Sequence, residues 1–293
     1  MRLFLLVFLT MVAFAANSIL SRLAIGGGHM EATSFGLLRV LSGAVTLVGL
    51  CALSGLSLRR DRRQTFWGAA ALTTYIVGFS IAYEDLDAGL GALILFGVVQ
   101  VSMFLWGALR GSPVAPGQVA GAAIALVGLA AVVWPTDGVP AAPLGASCLM
   151  ALGGLGWAGY SLLGRGAKAP LAATAVNFAA ASVIMVPAVL IFGADVVISP
   201  WGVVLAIVSG AVTSGLGYAL WYHVLPQLAP AVAATVQLSV PVIAILAGAV
   251  VLGEVIGLQL TIGAITVLGG IAIVVLSGPG RRRAAGIPAG KEG

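Results

Sequence analysis

The sequence predicts an all-α polytopic membrane protein with ten transmembrane helices in two inverted five-helix repeats. Three observations predict it. The chain is 60% hydrophobic and only 8% charged, more apolar surface than a water-exposed fold can hide. Apolar runs of about 20 residues, the length that crosses the hydrocarbon, occur ten times: near 3–25, 32–55, 66–84, 87–109, 116–134, 143–163, 170–192, 201–224, 229–251 and 256–277. Finally, Phe14-Ala15-Ala16-Asn17-Ser18-Ile19-Leu20-Ser21-Arg22 returns 143 residues later as Trp157-Ala158-Gly159-Tyr160-Ser161-Leu162-Leu163-Gly164-Arg165. Five spans per half is an odd number, so the second copy must enter from the opposite side. Repeated halves can hold a site between them and rock around it.

Taken in order, span 1 begins at Arg2 and has the flavour of a secretory leader ending near Ala13-Phe14-Ala15. Its apolar run continues past that point, and its far end is the part that repeats, so the segment is expected to stay in the fold. It carries Asn17, a polar group that either faces a cavity or bonds a neighbouring helix. Span 2 carries Arg39, about two turns from the outer end. A cation at the centre of a helix costs roughly 2.5–3.5 kcal/mol on insertion scales. The expectation for Arg39 is a shallower position from which it snorkels outward, anchors a substrate carboxylate, or pairs with Glu31, Glu84 or Asp85 as a gate.

Span 3 places Tyr75 and Phe79 on one face at i, i+4, with Tyr83 near the outer surface. Span 8 does the same with Tyr218 and Tyr222, the latter near the inner surface. Such aromatic faces suit packing, an ammonium group or an aromatic side chain, and Tyr83 and Tyr222 also suit an interfacial belt or a gate. Span 4 holds Gln100, and its counterpart span 9 holds Gln237, Ser239 and Pro241. A polar pair at equivalent depth is expected where a substrate's amine or carboxylate is bound, and the proline frees a backbone carbonyl. Spans 5, 6 and 8 carry glycines for close helix approach. In span 6, Trp157 lies one turn from Tyr160. Gly78 and Tyr83 match Gly217 and Tyr222, and Gly121 and Gly128 match Gly263 and Gly270, at offsets of 139 to 142.

With the N-terminus inside, inner loops and tails hold Arg2, Arg59, Arg60, Arg62, Arg63, Arg110, Arg165, Lys168, Arg281, Arg282, Arg283 and Lys291, twelve of the 14 basic residues. The outer ends hold Glu31, Glu84, Asp85, Asp87, Asp137, Asp195 and Glu254, seven of the nine acids. Both termini are then cytoplasmic, and the net charge of +5 is a topology signal. No nucleic-acid partner is expected. The division is 1–137 for the first repeat, 138–278 for the second and 279–293 for a basic cytoplasmic tail.

The run Pro241-Val242-Ile243-Ala244, then Leu252-Gly253-Glu254, Gln259, Gly263 and Gly270, resembles the EamA-type exporters of the drug/metabolite transporter superfamily. Tyr218-Ala219-Leu220-Trp221 resembles the family's eighth span, and Arg39 sits where these proteins often have an arginine. In the first half Gln100 replaces the proline and Ser112-Pro113 stands where Gly-Glu would be. Within the family the chain looks most like amino-acid exporters of the YddG type. The resemblance implies an exporter of small metabolites, amino acids foremost, in a bacterial inner membrane.

The expected site therefore comprises Asn17, Tyr75, Phe79, Gln100, Trp157, Tyr160, Tyr218, Gln237 and Ser239 for substrate, with Arg39, Tyr83 and Tyr222 as gates. The expected partners are a small-molecule substrate and the lipid bilayer, and the chain is taken as a monomer. Neither metal nor cofactor is expected: His29 and His223 fall at opposite membrane faces, and Cys51 and Cys148 read as small buried hydrophobes. An enzymatic reading lacks a catalytic constellation. The remaining alternatives are a broad drug or polyamine exporter and a non-transporting scaffold or receptor. No acid lies in the central half of any span, so the expectation is downhill flux of a zwitterionic or neutral solute, or coupling through groups near the outer surface, rather than proton exchange at a buried carboxylate.

Overall fold

The computed structural model describes residues 2–58, 61–135, 142–164, 167–192, 197–228 and 230–277. Arg59, Arg60, Asp137, Arg165, Asp195, Arg281, Arg282, Arg283 and Lys291 lie outside these residues, as do the 137/138 boundary and the 279–293 tail. Within them the chain is all-α. Ten helical segments are long and apolar enough to cross a membrane: Arg2–Gly26, Ala32–Leu53, Arg62–Ala82, Ala88–Leu109, Pro116–Val133, Leu144–Gly164, Pro170–Pro187, Pro200–Gln227, Thr235–Leu252 and Leu258–Leu276. They are spans 1 to 10. Large apolar side chains such as Leu109, Val250 and Val255 stay more than 80% exposed, which is tolerable only where the solvent is lipid.

The ends are made by local chemistry. Glu31 caps span 2, accepting from the Thr33 and Ser34 amides at 2.6 and 2.8 Å. The Ser199 hydroxyl accepts from Gly202 N at 3.0 Å, with Pro200 leading span 8. Such caps satisfy amides that no helical carbonyl can reach. Span 4 is different. Asp87 at its N-cap makes no side-chain cap bond; Glu254, from the turn after span 9, takes Ala88 N at 2.7 Å and Gly89 N at 3.4 Å. Gly253 has φ +71°, the left-handed region that favours glycine, and this turn carries Glu254 back to span 4.

Three spans depart from α geometry. Arg22–Gly26, Ser209–Leu216 and Gly248–Leu252 are π-helical, a wider turn that re-aims side chains. At one end of the bundle Arg22 donates to the carbonyls of Tyr83 and Glu84 at 3.1 and 2.8 Å and lies 3.8 Å from Asp87. The 29–31 and 197–199 segments pair there too, through a Met30–Ile198 bridge and the bonds Glu31 N to Val197 O and Ser199 N to His29 O. This is called the acidic end, after Glu31, Glu84, Asp85, Asp87 and Glu254. The opposite, basic end carries Arg62, Arg63, Arg110 and Lys168.

The packing partners exchange between halves. Span 3 packs on span 6 as span 8 packs on span 1; span 4 packs on span 6 as span 9 packs on span 1; spans 2 and 7, 4 and 9, and 5 and 10 pair with each other. Glycines set the closest seams. A β-carbon at Gly270 would lie 2.6 Å from the Gly121 carbonyl oxygen and the Ala125 amide. Gly270→Leu is therefore expected to lower the apparent Tm in detergent, by the equivalent of about 1–3 kcal/mol of overpacking. Gly269→Leu, where a β-carbon meets nothing within 4 Å, should leave it unchanged. Equal shifts in both would show that spans 5 and 10 do not meet at these glycines.

Candidate functional site

A small chamber lies where the halves meet, lined by Phe14, Asn17 and Ser18 of span 1, Tyr75 and Phe79 of span 3, Leu95 and Phe96 of span 4, Trp157 of span 6 and Tyr218 of span 8. Its wall is a run of rings. Trp157 stacks on Tyr218 at 5.2 Å and on Tyr160 at 5.6 Å, and tilts against Tyr75 at 5.1 Å; Phe14 meets Tyr218 edge-on at 5.6 Å. Offset and edge contacts of this kind each contribute about 0.5–1.5 kcal/mol beyond area burial.

Behind the rings lies a buried polar chain. The π-helical stretch of span 8 turns Ser209, Thr213 and Ser214 together toward Asn17. The Asn17 Oδ1 accepts from Ser209 at 2.9 Å, from Thr213, and from Ser214 at 3.4 Å. Arg39 Nε donates to Ser214 Oγ at 3.1 Å, and Nη2 donates to the Tyr75 hydroxyl oxygen at 2.9 Å. The guanidinium also sits 5.4 Å from the Tyr75 ring centre and 4.9 Å from that of Phe79.

A second pocket opens toward the basic end, lined by Gln64, Tyr160, Thr174, Asn177 and Tyr222 among others. The Tyr160 hydroxyl donates to Thr174 Oγ1 at 3.2 Å. Trp157, Tyr160 and Tyr218 stand between this pocket and the chamber. At the acidic end, the fully buried Tyr83 donates to Ala88 O at 3.3 Å and packs edge-on against Phe79 at 4.7 Å. An interfacial tyrosine would leave its tip in the headgroup layer; Tyr83 is instead enclosed between spans 3 and 4.

The structure thus brings Asn17, Tyr75, Phe79, Trp157 and Tyr218 into one chamber and puts Tyr160 and Tyr222 in its neighbour. It does not bring in the glutamines. Gln237 Nε2 donates to Ala233 O at 3.2 Å and Ser239 Oγ to Val236 O at 2.6 Å, because the helix break at Leu238 leaves carbonyls to satisfy. Neither these two nor Gln100 lines the chamber. Arg39 is also not where a snorkelling residue would be: it is 0% exposed, and no carboxylate among the described residues lies within ion-pair reach of it. Span 2 is covered by spans 7 and 8 at that depth, which closes the way out. The residues that sequence reasoning missed, Phe14, Ser209, Thr213, Ser214 and Asn177, left one legible signal. Ser209, Thr213 and Ser214 are hydroxyls in mid-span, where each needs a partner.

The structure is a polytopic bundle of apolar helices with a small chamber between spans 1, 3, 4, 6 and 8. An uncharacterized protein of Pseudomonas aeruginosa is 45% identical over 284 residues, covering 96% of each chain. Residues 144–276 match the EamA-like transporter family. The second half of the chain is thus similar to a family of membrane transporters. A protein of known crystal structure shares the fold, with a TM-score of 0.66 at 20% identity over 92% of this chain and 98% of its own.

Proposed function

We propose that the protein exports small metabolites, amino acids foremost, from a bacterial cytoplasm by alternating access. In this reading two inverted repeats, 1–137 and 138–278, rock around the chamber, both termini face the cytoplasm, and the acidic end faces out. One observation carries the reading: Asn17, Tyr75 and Phe79 from one half and Trp157 and Tyr218 from the other converge on one cavity. The exchange of packing partners between halves supports the inverted duplication. Arg22 and Glu254 close the acidic end, while the second pocket opens toward the basic end.

Among the described residues the chamber lining contains no carboxylate, so this reading has no desolvated acid inside the chamber at which to trade a proton for substrate. Flux should then run downhill. In liposomes holding the purified protein, labelled neutral amino acids should cross faster than in protein-free vesicles with a substrate gradient alone, and an imposed pH gradient should not drive accumulation above equilibrium. Accumulation would overturn the downhill reading. Movement of lipophilic cations or polyamines, but not amino acids, would overturn the substrate assignment.

A further inference from the structure

Resting on that reading of the chamber as the transport site, we infer that the cargo is bound through a carboxylate, and that Arg39, acting through Tyr75 and through Ser214 and Asn17, makes the chamber select anions and zwitterions over amines. Arg39 is fully buried, and its Nη1 meets no partner. The ion pair found among the described residues is that of Arg22 with Asp87, remote from it. A guanidinium keeps its charge in a protein. A buried cation without a counter-anion is costly, and the two rings against it neutralise nothing. Selection for a charged ligand would account for that cost.

Proton bookkeeping extends the inference into the chamber. Arginine only donates. Tyr75 and Ser214 therefore use an oxygen lone pair on Arg39, and their own protons must go elsewhere. The Ser214 proton goes to Asn17 Oδ1, which also takes Ser209 and shares the one Thr213 proton with the Ser209 carbonyl. The oxygen of Asn17 is thus committed, and its Nδ2 is left as a donor with no acceptor among the described residues. The Tyr75 hydroxyl proton likewise meets none. Both residues line the chamber. Followed outward from Arg39, the network ends in N–H and O–H groups polarised by a cation. Such ends fit a carboxylate, whose oxygens only accept. An ammonium would meet donors and a positive charge, so the aromatic wall here holds the cargo's apolar part rather than a cation.

The test uses the full chain in detergent and in liposomes. Acetate, 3-methylbutanoate, 3-phenylpropanoate, L-leucine and L-phenylalanine are compared with ethylamine, isopentylamine and phenethylamine. The carboxylates with an apolar tail should raise the apparent Tm, and the matched amines should not. Flux of L-phenylalanine should exceed that of phenethylamine at least tenfold. Tyr75→Phe keeps the ring and removes the hydroxyl; it should lower that ratio about tenfold. Arg39→Gln should abolish the ratio if the variant folds, and Tyr75→Phe carries the test if it does not. Stabilisation by amines as strong as by carboxylates, stabilisation by no carboxylate, or an unchanged ratio in Tyr75→Phe would each overturn the inference. Stabilisation by carboxylates without flux of any solute would uphold it and overturn the transport reading instead.

Discussion

Trp157→Ala is expected to reduce amino-acid flux in liposomes by between ten- and a thousandfold while leaving the protein folded. Trp157 is the ring shared by three contacts, with Tyr75, Tyr160 and Tyr218. At about 0.5–1.5 kcal/mol for each aromatic pair, their loss amounts to about 1.5–4.5 kcal/mol, and each 1.4 kcal/mol is about a factor of ten. The contacts bridge span 6 to spans 3 and 8, so the same ring joins the two halves of the cavity wall. It also stands between the chamber and the basic-end pocket. Trp157→Phe should recover most of the flux, since a ring remains between Tyr75 and Tyr218. Initial rates of tracer efflux, normalised to protein recovered by size exclusion, check both. Normal flux in Trp157→Ala would remove the ring cluster from the transport path.

Glu254→Ala is expected to open the acidic end. The carboxylate reaches across the junction to the first two amides of span 4, where the helix dipole also favours negative charge. Losing a cap costs about 0.5–2 kcal/mol, enough to raise the population of an opened state by up to about thirtyfold. The reporter is Ser80→Cys, a near-isosteric change at a fully buried site two residues from the end of span 3, in a chain where Cys51 and Cys148 have been replaced. Its labelling by a polar thiol reagent should be slow, and should rise at least fivefold with Glu254→Ala. Equal rates would show that Glu254 caps span 4 without closing anything.

A pH measurement reads the titration of this carboxyl. Burial pushes it above the usual 4.5, the Ala88 amide pulls it down, the nearby Asp87 charge raises it further, and Gly89 and Arg22 pull the other way; the net direction is up. The folded chain therefore holds this proton at a higher pH than the unfolded chain. Between the usual value and the raised one, the folded state binds more protons, so this group's contribution to stability falls as pH rises. Glu254→Ala should flatten that part of the stability–pH curve.

How much of this was legible follows from which interactions are local. Ten spans could be read because the hydrocarbon demands about 20 apolar residues in every crossing, whatever the neighbours do. The Leu252-Gly253-Glu254 motif could be recognised, but its job could not. That span 4 lacks a cap of its own, and takes one from a residue over 160 positions away, is a fact of tertiary packing. Asn17, Tyr75, Phe79, Trp157 and Tyr218 could be named because polar-tipped and aromatic side chains deep in a span need a reason to be there. Gln100, Gln237 and Ser239 met the same criterion and do not line the cavity. Depth along a helix is written in the sequence, whereas the direction a residue faces in the bundle depends on the turn of that helix. Span 9 breaks at Leu238, and its freed carbonyls take the local donors. The sequence by itself determined the class of the protein, its number of spans and the short list of residues too costly to leave unused. Only the tertiary structure decided which of them meet. The π-helical turn at Ser209–Leu216 rotates three hydroxyls onto Asn17, and spans 7 and 8 bury Arg39 without a counter-charge. Neither result follows from periodicity, because both depend on how distant helices share the space between them.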